Sequence, residues 1–406
     1  MGEDLVKVLQ INSVCGTGST GRIATDIHSL LEKNGYESII AFGRGVPQKC
    51  DNTIKIGSNL DNYKHVAITR LFDKHGFGSR KSTQVLIKKI KVLNPDVIHL
   101  HNIHGYYINI QVLFDFLKEI NKPVVWTLHD CWPFTGHCAH FDYINCSKWK
   151  TECNRCPQKK VYPRSLLVDS SRGNFKSKRN IFTKLDKLTI VTPSIWLAEL
   201  VAESFLKEYS VRVINNGIDL NIFQPVNSDF RKKYNLENKF VILGVANIWS
   251  AKKGFNYLVD LSKLLTKDEI IVVVGLSETQ VNELQTNNII GIPRTNNAKE
   301  LAEIYSASDV FVNPSLEENF PTVNLESIST GTPIVTFDVG GSSEIFNNNI
   351  GFYVEKGNVR SMYNKINIIK KEGKSKYIDN CIETSKKYDS LLKYSEYIQL
   401  YEELSL

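Results

Sequence analysis

Residues 309–345 read DVFVNPSLEENFPTVNLESISTGTPIVTFDVGGSSEI. The run DVFVNPS is a short apolar segment closed by a proline, the pattern of a buried strand and its turn. Pro321 fits the first turn of a helix and Gly331 fits its C-terminal cap, so a helix is expected between them. PIVTF then reads as the next strand. Strand, helix and strand in this order imply two parallel strands joined by a helical crossover.

Working outward, FVILGVA, EIIVVVG and DVFVNP extend the same series back to about residue 240. A separate series occupies the first half, with KVLQIN, SIIAF, DVIHLH and VVWTLH as strands. Between the first two lie Ile23, Ile27, Leu30 and Leu31 at helical spacing, ended by Gly35. The expected fold class is therefore α/β, with two Rossmann-like doubly wound domains facing each other across a cleft. The expected limits are 1–214 for the first, with a cysteine-rich insertion near 131–160, and 215–385 for the second. A C-terminal helix, 386–406, carries Leu391, Tyr394, Ile398, Tyr401 and Leu404 as one stripe and is expected to pack back on the domains.

The composition is that of a soluble globular chain: 406 residues, 42% apolar and 23% charged. No stretch of 18 or more residues is uncharged and strongly apolar, so no membrane-spanning helix is expected. The opening MGEDLVKVLQ has acids where an export signal has bases, which points to the cytoplasm. The net charge of +7 is uneven. Lys148 to Lys187 holds twelve Lys/Arg against three Asp/Glu, a local excess of nine. Such a segment suits an anionic membrane surface or an anionic acceptor. No nucleic-acid motif accompanies it, so no nucleic-acid partner is expected.

Placed on the predicted elements, Glu318 lies in the loop before the helix and Glu326 within it. The backbone N–H groups near Pro321, Thr322 and Val323 sit at the helix start, where donors without intrahelical partners and the helix dipole favour an anion. One carboxylate beside an anion site and another a turn deeper is a poor layout for a glycosidase pair. It suits a nucleotide-sugar cradle.

The stretch CGTGSTGR spaces Gly16, Gly18 and Gly21 as G-x-G-x-x-G after a strand and before a helix. Such a loop brings backbone N–H groups close to a phosphate. An NADP-dependent oxidoreductase is one reading. Against it, the second strand ends SIIAFGRG, with Arg44 and no acid for a ribose diol. Arg22, in the first turn of that helix, could reach a diphosphate.

Cys138, Cys146, Cys153 and Cys156 are spaced C-x7-C-x6-C-x2-C. In a reducing compartment four thiolates at such spacing can close a structural Zn2+ shell, with His140 as an alternative ligand.

The quoted segment, with E-x7-E at Glu318 and Glu326, STGTPIV and GGSSEI, resembles the family-4 retaining glycosyltransferases. NNGID at 215–219, NPDVIHLHN and TLHD extend the resemblance over nearly the whole chain. TLHDCWPFTGHC and VANIWSAKKG resemble a subgroup that builds bacterial surface polysaccharides, such as O-antigen, capsule or exopolysaccharide.

The resemblance implies a two-domain GT-B fold and transfer of a hexosyl group from a UDP- or GDP-sugar. The acceptor would be a saccharide or lipid-linked oligosaccharide, reached peripherally at the inner face of the cytoplasmic membrane. Configuration would be retained and no metal needed for the chemistry; D-x-D occurs nowhere. Glu318 would act beside the reacting sugar, with His129 and Asp130 of TLHD as the other catalytic candidates. Glu326 would hold the donor ribose. Lys253 would neutralise the leaving diphosphate, and Gly18 and Gly21 would let the first domain close on it. The family's G-R-x4-K-G arginine is missing: Asn247 stands in its neighbourhood, leaving Lys252 or Arg22 to supply the charge. That gap keeps open an inactive nucleotide-sugar-binding or scaffolding homologue.

Overall fold

The computed structural model describes residues 6–282, 284, 288–346 and 349–405. The chain forms two compact units, 1–215 with 393–406, and 216–392.

Unit 1 is built on a seven-stranded sheet: β1 Lys7–Asn12, β2 Glu37–Phe42, β3 Thr53–Lys55, β4 Val97–Leu100, β5 Val124–Thr127, β6 Leu188–Thr192 and β7 Ser210–Val213. Its order is β3-β2-β1-β4-β5-β6-β7, and every pairing is parallel. Val8, Leu9 and Ile11 of β1 are fully buried, as expected for a strand covered on both faces. The crossover from β1 to β2 is α1, Gly18–Lys33. α2, Asn59–Phe72, starts in a Ser58–Asp61 capping box.

Unit 2 repeats the plan with β8 Phe240–Val245, β9 Glu269–Val274, β10 Ile289–Ile292, β11 Val310–Asn313, β12 Ile334–Phe337 and β13 Gly351–Val354. The order β10-β9-β8-β11-β12-β13 is 3-2-1-4-5-6 in the unit's own count, the doubly wound arrangement. In both sheets the strand order reverses beside the unit's first strand. The carboxyl ends of β1 and β4, and of β8 and β11, therefore flank a crevice of the kind that holds ligands in such sheets.

The terminal helix, Ser390–Ser405, buries Tyr394, Tyr397, Ile398, Leu400 and Tyr401. They pack with Val8, Ile23, Ile27, Leu31, Val97 and Val125 of unit 1. Fully burying an aliphatic side chain such as Ile27 contributes about 1.5–3 kcal/mol. Leu391, expected in the stripe, is exposed, and Tyr397 takes a buried place instead. Among the described residues no helix is long and apolar enough to cross a membrane.

Candidate active site

In unit 2 the segment after β11 folds as a loop and then a helix, Thr322–Ser329. Pro321 is its N-cap, one position earlier than the first helical residue. Gly331 takes φ +72° just past the end, where a residue with a Cβ is disfavoured. The N–H groups of Thr322 and Val323 belong to the first turn, which has no intrahelical acceptor for them. Glu326 is buried on this helix and accepts a hydrogen bond from the Tyr305 hydroxyl at 3.2 Å. Tyr305 is fully buried, and burial followed by the Glu326 charge holds its hydroxyl protonated, well above the usual tyrosine range.

A second loop docks beside the first. Ser250 caps the turn Ala251–Lys253, and the Leu316 N–H donates to the Lys252 carbonyl at 2.8 Å. Gly254 ends the turn with φ +79°, and a Cβ there would lie 2.0 Å from the Pro314 carbonyl oxygen. This close approach delivers two lysines to two acids. Lys253 Nζ lies 2.6 Å from Glu318 Oε1, the side chains 41% and 11% exposed. Lys252 Nζ lies 2.6 Å from Glu317 Oε2, which is 3% exposed. Glu317 drew no attention in the sequence because nothing in its spacing marked it. Asn247 is exposed just beyond the end of β8.

In unit 1 the glycine loop closes β1 onto α1. Gly16 and Gly18 have φ +73° and +65°, and the Gly16 N–H donates to the Gly21 carbonyl at 3.1 Å. A Cβ on Gly21 would stand 3.0 Å from Val14 Cγ2. Gly18 thus serves a backbone conformation and Gly21 a close packing. Arg22 is exposed on the first turn of α1.

The ends of β4 and β5 carry a histidine chain. His129 Nε2 lies 3.1 Å from His101 Nδ1, and His101 Nε2 lies 3.0 Å from Gln10 Oε1. The Gln10 amide is oriented by its own Nε2 donating to the Ala24 carbonyl at 3.0 Å. Its oxygen can only accept, so His101 carries its proton on Nε2 and accepts at Nδ1. His129 then donates from Nε2, and its Nδ1 holds the lone pair. Burial lowers the His129 pKa to about 4, against the opposing charge of Asp130. The ring is therefore neutral at pH 7, with Nδ1 its acceptor nitrogen.

Asp130 lies next to this chain, its Oδ2 2.8 Å from His104 Nε2. Burial would raise its pKa, but His104 and the Trp132 N–H outweigh that and hold it at about 2. Of the three histidines at and just after the end of β4, His101 orients His129 and His104 pairs with Asp130. His99 is instead a core residue, bonded to Thr127 Oγ1 at 2.8 Å and to the Tyr401 hydroxyl at 2.6 Å.

The four clustered cysteines are free thiols and line one small cavity of about 20 Å³ with Thr135, His137 and Trp149. His137, and not His140, is the histidine on its wall. Among the described residues no three His, Cys, Asp or Glu side chains stand together as metal ligands. The expected zinc shell is thus not assembled in this arrangement of thiols. A hydrogen bond between Cys138 and Cys156 lowers the Cys156 thiol to about 7 and raises that of Cys138. The amine of buried Lys178 stands nearby, donating to the Trp132 and Thr135 carbonyls at 2.8 and 3.1 Å, and burial lowers its pKa to about 7 against the raising effect of Cys153 and Cys138.

Residues 226–388 match the family model described as "Glycosyl transferases group 1". Residues 20–222, half of the chain, match "Glycosyltransferase Family 4". The chain is 26% identical over 373 residues to "Putative colanic acid biosynthesis glycosyl transferase WcaC" of Escherichia coli (strain K12), covering 87% of this chain and 88% of that protein. It is 29% identical over 182 residues to "UDP-Gal:alpha-D-GlcNAc-diphosphoundecaprenol alpha-1,3-galactosyltransferase" of Escherichia coli, covering 41% and 46%. Among solved structures, a glycosyltransferase from Rickettsia africae ESF-5 superposes with TM-score 0.71 at 19% identity, over 99% of both chains. Anabaena Alr3699/HepE in complex with UDP-glucose superposes with TM-score 0.68 at 16% identity, over 98% and 99%. Both structures share the fold, and the family match replaces the oxidoreductase reading of the glycine loop. The chain belongs to glycosyltransferase family 4.

Proposed function

We propose that this glycosyltransferase moves a hexosyl group from a UDP- or GDP-sugar to a saccharide or lipid-linked oligosaccharide acceptor, with retention of configuration, in bacterial surface-polysaccharide assembly. The observation that carries the reading is the pairing in unit 2 of a deep carboxylate, Glu326, with a shallow one, Glu318, on either side of a helix start. The named relatives support the pathway class, since one is described for colanic acid and another for a diphosphoundecaprenol-linked acceptor. The UDP-glucose bound by the Anabaena protein supports the donor class.

Breaking the sugar–phosphate bond leaves positive charge on the sugar and negative charge on the diphosphate, and both need stabilising. In unit 2 the N–H groups of Thr322 and Val323 and the ammonium groups of Lys252 and Lys253 suit the diphosphate. Glu326 suits the ribose diol, and Glu318 suits the cationic sugar. In unit 1 the lone pair on His129 Nδ1 suits a sugar or acceptor hydroxyl, with Asp130 fixing the neighbouring His104. Gly18, Gly21 and Arg22 suit the approach of a phosphate to α1.

Two accessory features belong to the same proposal. The enzyme works at the inner face of the cytoplasmic membrane. The four cysteines take one structural zinc by turning their thiols into the shared cavity, where anionic thiolates would favour the protonated form of Lys178.

Calorimetry with UDP-, GDP-, ADP- and CMP-sugars, followed by a transfer assay with the donor that binds, tests the reading. Binding of none of them would refute it. The ion-pairing of Lys252 and Lys253 with Glu317 and Glu318, together with Asn247 in place of an arginine, favours a second reading as a nucleotide-sugar-binding homologue without turnover. Tight binding with neither transfer nor hydrolysis would select that one.

A further inference from the structure

We propose that unit 1 docks on an anionic lipid leaflet through an outward face formed by α2 and residues 159–168. The helix α2 is inside out. Its buried residues are Asn62, His65 and Thr69. All three are satisfied: Asn62 Nδ2 donates to the Gly43 carbonyl at 3.1 Å, His65 Nδ1 meets Ser79 Oγ at 2.9 Å, and Thr69 Oγ1 donates to the His65 carbonyl at 3.0 Å. Its largest exposed apolar residues are Leu60, Leu71, Tyr63 at 72% and Phe72 at 56%, while Val66 and Ile68 are half-buried. An ordinary surface helix turns its apolar stripe inward, so this one lacks a partner on its outer side.

The face continues onto a neighbouring segment. The Leu166 N–H donates to the Arg70 carbonyl at 2.7 Å, and Ser170 Oγ donates to the Phe72 carbonyl at 2.9 Å. These bonds lay residues 166–170 along the end of α2. There Leu166 and Val168 are exposed and Leu167 is 69% exposed. Lys64, Arg70, Lys160 and Arg164 are exposed among them. Two acids border them: Asp61 is tied into the Ser58 capping box, and Asp169 accepts from the Cys156 and Ser171 N–H groups.

Apolar and aromatic side chains interleaved with bases that outnumber the acids match the boundary between acyl chains and anionic headgroups. A second copy of the chain is a poor occupant, because a two-fold contact would set these cations against themselves. Of the long basic segment only residues 159–168 belong to this face. Lys150 pairs with Glu203, Arg172 and Lys176 pair with Glu152, and Lys178 is buried. The inference leans on the lipid-linked acceptor reading only in preferring a lipid over an acidic protein.

Flotation of the full chain with vesicles of phosphatidylcholine, with and without phosphatidylglycerol, tests it. The parent should float with the anionic vesicles at low salt and stay behind with the neutral ones. Each cation near such a surface contributes about fivefold, so Arg70→Glu with Arg164→Glu should lower partition about twenty-fivefold or more. Phe72→Ser with Leu167→Ser should also abolish flotation, while Lys150→Glu should not. Equal recovery with both vesicles, or flotation that survives the serine pair, would overturn the proposal. A concentration-dependent dimer lost in the serine pair would give the face to a second copy instead. Hydrolysis of the nucleotide sugar, measured in the same preparations, should persist in every variant. Its absence from the parent would count against the transferase reading and leave the vesicle result standing.

Discussion

His129 and His101 stack with 17° between their ring planes, and the 3.1 Å contact between them ends a chain that begins at the Ala24 carbonyl. Gln10 decides which way the protons point along it. Replacing it by methionine keeps the volume and removes the oxygen that fixes the His101 proton on Nε2. In Gln10→Met both tautomers of His101 become available, and His129 is no longer held with its lone pair on Nδ1. Turnover should fall at least tenfold with donor affinity unchanged. Nitrogen chemical shifts of the imidazoles should show mixed tautomers. A lower melting temperature with unaltered tautomers and turnover would reduce Gln10 to a packing role.

Acid should weaken unit 1 before its carboxylates titrate. Burial lowers His129 and His65 to about 4, and His75, His99 and His101 well below the usual 6.5. Below pH 6.5 the unfolded chain takes up protons that the folded chain refuses. Stability is therefore full above that pH and is lost as pH falls toward 4, by up to about 1.4 kcal/mol per pH unit for each such histidine. Asp130, held at about 2, adds a further loss only below the ordinary aspartate range. Thermal melts from pH 7.5 to 4.5 should show a steep decline that starts near 6.5. A flat profile down to pH 5 would mean that these rings are protonated in the folded protein.

Gly254 is where the two loops of unit 2 meet, and its replacement should be felt at both lysines. Gly254→Ala must place a Cβ 2.0 Å from the Pro314 oxygen while keeping φ at +79°. The left-handed conformation alone costs about 1–2 kcal/mol in a residue with a side chain. Relief of the contact would pull Lys252 and Lys253 away from Glu317 and Glu318. A fall in stability of about 2 kcal/mol or more is expected, with weaker binding of nucleoside diphosphate. An unchanged denaturation midpoint would contradict the close packing of these loops.

The four cysteines predict a countable metal. One zinc per chain should survive purification without added metal, and Cys153→Ser should lose it. The motive is their common cavity. Elemental analysis with thiol titration decides the matter: no zinc and four titratable thiols in the native protein would leave them as ordinary reduced cysteines.

The central strands of both sheets could be read from short apolar runs, because a strand buried on both faces has little choice of residue, whereas the edge strands β3, β7, β10 and β13 and the inner β6 were not read. The helix start near Pro321 was equally plain, since proline and glycine punctuate it for steric reasons. The partners were not readable. Glu317 and Glu318 are adjacent acids, and only the approach of Gly254 to Pro314 sends each to its own lysine. Gln10 sits among the buried apolar residues of β1, and its meaning depends on His101, just past the end of a strand about 90 positions later. The apolar outer face of α2 was hidden for a related reason. Periodicity marks an apolar stripe but does not say that the stripe faces water.

Glu326 and Glu318 should fail in different ways. Glu326 is buried and held by the Tyr305 hydroxyl at 3.2 Å, so its geometry is set before any donor arrives. Loss of a hydrogen bond to a charged group is worth about 1.5–3 kcal/mol, so Glu326→Ala should weaken donor binding about ten- to hundredfold. Tyr305→Phe removes one support of that carboxylate and should cost less. Glu318 faces Lys253 at 2.6 Å. Glu318→Gln leaves that ammonium without its carboxylate, so nucleoside diphosphate should bind as well as before or more tightly. Turnover should nonetheless drop about a hundredfold, because the carboxylate opposes charge that exists only as the bond breaks. Lys253→Ala should weaken diphosphate binding, and the double variant should show whether the two effects are coupled. Calorimetry with nucleoside diphosphate, and turnover at saturating donor, separate these cases. If Glu318→Gln lost affinity and kept its turnover, the carboxylate would be a binding group and the charge-stabilising role would be withdrawn.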